Sequence, residues 1–189
     1  MAHTCGPFTP FPVLRSDRLL LRSVEEHDVK ELFALRCDEE TARLVGRPRA
    51  QTLDDALDFI RRIHQGMERG EWAFWALSFA EQERLIGTVC LWNIAWEQGR
   101  AELGFELIHD YRGQGLMGEA VAKVLTYGYG VLRFVTVEAR VHPDNRRCRS
   151  LLARHGFTRE DTGAGKSLEV LLYSRRREDA FALKSPMRC

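Results

Sequence analysis

The sequence predicts a mixed α/β fold, one sheet with helices laid on it, and three observations lead there. Two early stretches carry apolar residues at helical spacing, an aromatic and β-branched run follows them, and the last part alternates strand and helix patterns. The chain has 189 residues, enough for one core without disulfides or metals.

Residues 1–12 hold three prolines and little periodicity, so they read as an extended or mobile tail ahead of a single domain over 13–189. Arg18–Ser23 (RLLLRS) is short and Leu-rich, which predicts a strand. Val29, Leu32, Phe33 and Leu35 recur at helical spacing and predict one helix from Glu25 to about Leu44. Thr52-Leu53-Asp54-Asp55 starts a capping pattern, and Leu53, Ala56, Leu57, Ile60 and Ile63 continue it as a second helix to about Gly70. The runs 72–79, 85–92 and 101–108, separated by charged or glycine-containing turns, predict an antiparallel meander. Gly113, Gly115 and Gly118 introduce a helix whose apolar face is Ala120, Val121, Val124 and Leu125, and Phe134–Val141 alternates as a strand. Pro143-Asp144-Asn145 turns the chain into a helix ending at His155-Gly156, where glycine suits a C-cap. Gly163-Ala164-Gly165-Lys166-Ser167 imitates the end of a Walker A loop, but Glu160 stands at the first glycine position and a strand follows, so it reads as a hairpin turn before a strand at Leu168–Tyr173.

Composition excludes several functions. Lys and Arg total 28 against 27 Asp and Glu, a net charge of +1, so no general field draws the chain to nucleic acid or an anionic membrane. Cys5, Cys37, Cys90, Cys148 and Cys189 are odd in number and never form a CxxC pair, which argues against a disulfide framework and against a metal site. The start has neither a cationic nor an apolar signal region, and nothing supplies the roughly 18 uninterrupted apolar residues a membrane span needs. A soluble cytoplasmic protein is the expectation, as a monomer or homodimer.

The most informative segment is Asp110-Tyr111-Arg112-Gly113-Gln114-Gly115-Leu116-Met117-Gly118-Glu119-Ala120, between a strand and a helix. Glycines let the backbone approach an anion, and the first helical N–H groups, at the positive end of the helix dipole, point at it. A pyrophosphate is the expected ligand, against the plain alternative of a glycine-rich helix cap. Gly113, Gly115 and Gly118 also satisfy G-x-G-x-x-G, with Glu138 about twenty residues on, but a dinucleotide fold needs several more parallel strands than the about seventy remaining residues allow.

Arg112-x-x-Gly115-x-Met117 resembles the pyrophosphate motif of the GNAT superfamily of N-acetyltransferases, with Met117 departing at the last position. Ala101-Glu102-Leu103-Gly104-Phe105 and Gly118-Glu119-Ala120 resemble its Rim-type, ribosomal-protein branch, as do Asn145-Arg146-Arg147-Cys148 and His155-Gly156-Phe157. The resemblance covers about residues 13–175. It implies a central, mostly antiparallel sheet with flanking helices and a cleft where the fourth and fifth strands, 101–108 and 134–141, splay apart. It further implies acetyl-CoA as co-substrate, with its pantetheine arm along the backbone of Leu107, Ile108 and His109. The pyrophosphate would sit on Arg112, Gly113, Gln114, Gly115, Leu116 and Met117, and Asn145 would contact the arm.

Acyl transfer to an amine asks for a base, a place for the oxyanion, and a donor for the departing thiolate. Glu102, Glu106 and Glu138 are carboxylate candidates; Glu102 is preferred as base, though a salt-bridged strand carboxylate explains it equally. His142 is a further base candidate, beside a turn where histidine is commonly structural. Cys148 stands where the Rim-type branch has a serine near the coenzyme sulfur, and a thiol is a weaker donor; a small packing residue, or Tyr173 as donor, is the alternative. Asn145 also reads as a helix cap. Arg146, Arg147 and Arg149 suit a 3′-phosphate or a solvated basic face. Trp72, Trp75, Trp92 and Trp96 read as acceptor-channel lining or as core. The resulting expectation is acetyl transfer to a primary amine, led by a protein N-terminal α-amine. Small amines (polyamine, amino acid, aminoglycoside) and a non-catalytic coenzyme A sensor are the alternatives.

Overall fold

A computed structural model describes residues 7–161 and 170–182. Its strands are β1 (Leu14–Arg15), β2 (Leu19–Ser23), β3 (Ala73–Phe79), β4 (Gly87–Ala95), β5 (Arg100–Leu107), β6 (Thr136–Val141), β7 (Thr158–Arg159) and β8 (Leu171–Arg176). They form one sheet in the order β1-β2-β3-β4-β5-β6-β8-β7. β5 and β6 run parallel, and every other neighbouring pair in that order is antiparallel. The helices are α1 (Val29–Arg36), α2 (Glu39–Val45), α3 (Leu53–Glu68), α4 (Leu116–Gly130), α5 (Arg146–Arg154) and α6 (Arg177–Ala182). α4 is the crossover that makes β5 and β6 parallel, as such a connection must.

Side-chain alternation divides the core in two. On one face Trp75, Leu77, Val89, Leu91, Leu103 and Val137 pack under α4 and α5 with Val121, Val124 and Leu152. On the other, Phe74, Ala76 and Cys90 pack under α1 and α3 with Leu32, Leu35, Ile60 and Ile63. α3 is fixed at its start by the expected capping box, Thr52 and Asp55 each bonding the other's backbone.

The single helix expected over 25–44 is three pieces: a 3-10 turn at Glu26–Asp28, then α1, then α2. Asp38 makes the break, because its extended backbone leaves the helix and its side chain accepts from the Thr41 N–H at 2.7 Å, which starts α2 afresh. α1 is held down where buried Asp28 takes two 2.7 Å bonds from the Arg22 guanidinium of β2. β4 runs on to Ala95 through a bulge between Trp92 and Ala95, three residues past the strand the sequence predicts. The two-residue strands β1 and β7 are too short to leave a pattern. The 163–167 turn, Leu168, Cys5 and Cys189 lie outside the described residues. Among those described, no helix is long and apolar enough to cross a membrane.

Residues 7–12 are packed against the sheet. Phe8 is 5% exposed, Phe11 meets Trp75 ring to ring, and the Trp75 Nε1–H donates to the Pro12 carbonyl at 2.8 Å. Phe8→Ala is therefore expected to lower the unfolding free energy by about 3 kcal/mol, the usual range for emptying a buried phenylalanine site. A denaturant titration checks it: the midpoint falls at unchanged slope, whereas an unmoved midpoint shows that Phe8 carries no core packing.

Candidate functional site

The site begins where the sheet opens. β5 and β6 pair only through Arg100 with Thr136, Ala101 with Val137 and Glu102 with Glu138. Beyond these pairs β5 continues to Leu107 against β4, and β6 continues to Val141 against β8, leaving a wedge between them. The Ile108 N–H donates to the Ile86 carbonyl across β4 at 3.0 Å. Antiparallel alternation then turns the backbone groups of Phe105 and Leu107 the opposite way, into the wedge. The Leu107 carbonyl there accepts from Arg112 Nε at 3.0 Å. An open strand edge of this kind suits an extended, amide-bearing ligand.

Just past β5, a 3-10 turn at His109–Tyr111 leads to the glycine-rich loop. Gly113 and Gly115 both have φ of +78°, a left-handed conformation that favours glycine, and a Cβ added to Gly113 would meet no protein atom within 4 Å. Gly115 is the N-cap of α4 and offers no side chain to the first turn, so the Leu116, Met117 and Gly118 N–H groups have no intrahelical acceptor. The side chains of Leu116 and Met117 are buried in the core, which leaves only their backbone available to a ligand. The side chain at the departing position, Met117, is thus outside the cradle. Arg112 anchors the loop, donating also to Thr41 Oγ1 of α2 at 3.0 Å, and Gln114 Nε2 donates to the Asp110 carbonyl.

Arg18, which belongs to no motif in the sequence, braces this loop from β2's side. Its backbone N–H and Nε donate to the two oxygens of Glu119 at 2.9 and 2.7 Å, and Nη1 donates to the Gln114 carbonyl at 3.1 Å. Glu119 lies in the first turn of α4, where an unpaired carboxylate would repel an anion, and Arg18 cancels it. About a hundred residues separate the partners, so no local pattern announces the pair.

Glu102, Glu138, Glu106 and Arg140 share the sheet face of α1 and α3, as does Trp92 opposite Glu102. Glu102 is 5% exposed and ion-paired to Arg140. Burial pushes its carboxyl above the usual range; Arg140 and the Asn93 amide pull it back, and Glu138 adds to the push. Asn93 stands in the β4 bulge with φ of 49°, a left-handed position for a residue with a side chain. Glu106 is bound bidentately by Arg47 at 2.9 and 2.6 Å, and Glu138 by Arg100 at 2.9 Å.

Across the wedge, Asn145 caps α5 by accepting from the Cys148 N–H at 3.0 Å. Cys148 is half-buried against the core and its thiol is pushed up to about 12 by burial, so it stays protonated at neutral pH. His142 Nδ1 accepts from the Asp144 N–H at 3.2 Å and so shapes its own turn. Tyr173 is buried, with its hydroxyl 3.3 Å from Arg149 Nε. Arg146 and Arg149 line an open groove of about 440 Å³ with Ser150, Ala153 and Tyr173, and helical spacing puts that face of α5 opposite Cys148. Of the four tryptophans, Trp75 is core, Trp72 packs on Phe59 and Phe74, and Trp96 packs on Phe8 and Phe134; Trp92 alone opens on the carboxylate face. Among the described residues no three His, Cys, Asp or Glu side chains gather to hold a metal.

The family model described as the acetyltransferase (GNAT) domain matches residues 18–158. The ribosomal-protein-serine acetyltransferase of Escherichia coli K12 is 30% identical over 162 residues, 82% of this chain and 87% of that protein. YoaA of Bacillus subtilis 168, named an uncharacterized N-acetyltransferase, is 29% identical over 150 residues, 79% of this chain and 85% of YoaA. Among solved structures, RimL, a ribosomal L7/L12 α-N-protein acetyltransferase in complex with coenzyme A, superposes with a TM-score of 0.75 at 19% identity, covering 87% of this chain and 98% of RimL. A wedge between parallel strands beside a glycine-rich helix start, carried on a sequence that the GNAT model matches over most of its length, places this chain in the GNAT acetyltransferase family.

Proposed function

We propose that this acetyltransferase moves an acetyl group from acetyl-CoA to a primary amine, with a protein N-terminal α-amine as its leading acceptor. The observation that carries the reading is the wedge itself, bounded by an anion cradle at its end and by a buried carboxylate on its face. The residues fit the co-substrate: free first-turn N–H groups and left-handed glycines suit a pyrophosphate, and the Phe105–Leu107 edge suits the pantetheine amides. When bound, acetyl-CoA supplies the activated acetyl thioester. The relative named a ribosomal-protein-serine acetyltransferase supports the choice of acceptor.

Glu102 takes the proton of the incoming ammonium, directly or through a water, because it is the most buried of the three carboxylates and its raised pKa brings it closer to an amine's task. Arg140 offsets part of the burial penalty on its ionised form. Cys148, protonated and on the other bank of the wedge, donates to the leaving sulfur, and Asn145 holds the start of α5 in place for it. Arg18 and Arg112 keep the cradle in shape.

Acetyl-CoA is expected to raise the melting temperature, by a stabilisation of about 2.7 kcal/mol at a hundredfold excess over its dissociation constant, while NAD does nothing comparable. Gly115→Asn should abolish that shift, because asparagine tolerates the left-handed backbone yet fills the approach to the helix N-terminus. Full binding by folded Gly115→Asn would show the loop to be only a cap.

Glu102→Gln is expected to lower kcat by about 10²–10⁴ with every acceptor, the range of a general base. Its stability should hold or rise at pH 7. Folding raises the Glu102 pKa, so this group favours the fold fully below the unfolded value, about 4.3, and that contribution is lost as pH rises through the folded value. Thermal melts of the two proteins at pH 7, run beside thiol-release rates, check both halves; undiminished kcat removes Glu102 from the chemistry.

Cys148→Ser should keep or increase kcat and Cys148→Ala should lower it, with acetyl-CoA affinity little changed in either, since a hydroxyl is the better donor. Equal kcat in all three proteins would leave Cys148 as packing alone.

A further inference from the structure

Trp92 is a large aromatic side chain in the middle of a sheet, on a face that helices cover elsewhere, and yet it is 38% exposed. Its neighbours place it beside the candidate base. It stands opposite Glu102 in the β4–β5 ladder, where facing side chains start about 5 Å apart. Diagonally across lies Gly104, and a Cβ built there would fall 3.5 Å from the indole Nε1 and 2.9 Å from Cys90 Sγ. The indole therefore lies within ordinary contact distance of the Gly104 position, which the approach of Cys90 Sγ keeps free of a side chain, next to the buried carboxylate.

The carboxylates of the same face are already matched. Glu102 has Arg140, Glu138 has Arg100, and Glu106 has Arg47. An amine brought to Glu102 gives up its proton and keeps no charge, so the Arg140 pair need not be displaced. A second positive charge on the same acceptor would meet carboxylates already engaged by guanidinium groups, whereas an apolar group would meet the indole.

Resting on the amine acetyltransferase reading above, we propose that Trp92 sets acceptor choice, its indole receiving the uncharged, apolar side chain next to the reacting amine. Acceptors beginning with a large apolar residue are then preferred over those carrying a second cation beside the amine, and over polyamines.

The test follows thiol release from acetyl-CoA by the full chain, with peptides identical except for a first residue of Leu or Lys, and with spermidine. Wild type is expected to show a KM for the Leu peptide about tenfold or more below those for the Lys peptide and spermidine. Trp92→Ala should raise the Leu-peptide KM about tenfold at nearly constant kcat and leave the Lys-peptide KM unchanged, and Trp92→Phe should recover most of the loss. Acetyl-CoA binding by calorimetry should be the same in all three proteins. An unchanged Leu-peptide KM in Trp92→Ala, a wild-type preference for spermidine, or lost acetyl-CoA binding in Trp92→Ala would each overturn the assignment. No thiol release by wild type with any acceptor would instead overturn the transferase reading beneath it.

Discussion

The parting of β5 from β6 after three residue pairs is the constraint from which the rest of the site follows. Each strand keeps an antiparallel partner on its outer side, so both continue past Glu102 and Glu138 while their facing edges lose each other. Buried backbone N–H and C=O groups must be satisfied, and an edge turned inward is stable only if water or a ligand reaches it. The protein serves part of this edge itself, giving the Leu107 carbonyl to Arg112. The backbone groups of Phe105 and the Leu107 N–H are turned toward the same gap. α4 then starts at the end of β5, so the positive end of its dipole stands at the mouth of the same opening.

Arginine is the recurring means by which this opening is kept in shape. Arg18 joins the first-turn carboxylate of α4 to the Gln114 carbonyl, Arg112 ties β5 to Thr41 of α2, and Arg47 ties the residues after α2 to Glu106 of β5. Each uses the planar, multi-donor guanidinium to bond two or more acceptors at once, which an ammonium holds less rigidly. The Arg47–Glu106 pair is mostly buried, with both side chains 12% exposed, so it constrains geometry more than an exposed pair does. A near-neutral composition is compatible with such strong local fields because the charges are paired in space and not along the chain.

What the sequence made legible was whatever is encoded locally. The glycine loop, the capping box at Thr52, the alternation of Phe134–Val141 and the Asn145 turn are each written in a few adjacent residues, and the structure has helix or strand where they point. The break at Asp38 is also written there, as an N-capping residue inside an apolar period that runs on past it. Strand alternation from Ile108 would have pointed to Phe105 as an edge residue. Arg18, Arg47 and Arg140 were out of reach: each acts through a partner 38 to 101 residues away, and their neighbours in the chain are unremarkable polar or apolar positions. The place of Trp92 beside Glu102 likewise depends on the register of the next strand, so no property of residue 92 separates it from the core tryptophan at 75.

On the proposed reading, the two proton-handling groups owe their states to the same cause acting on groups with opposite tasks. Burial disfavours the ionised form of both Glu102 and Cys148. For the carboxyl this strengthens the base, and Arg140 with Asn93 works against the shift. For the thiol, no cation is set against burial, so it remains a proton donor and a poor nucleophile. A cysteine with a nearby positive charge would become a thiolate, competing for the acetyl group and unable to donate. The arginines of α5 therefore matter by their direction: Arg146 and Arg149 face the groove on the far side of the helix, and the side of α5 that carries Cys148 is left apolar.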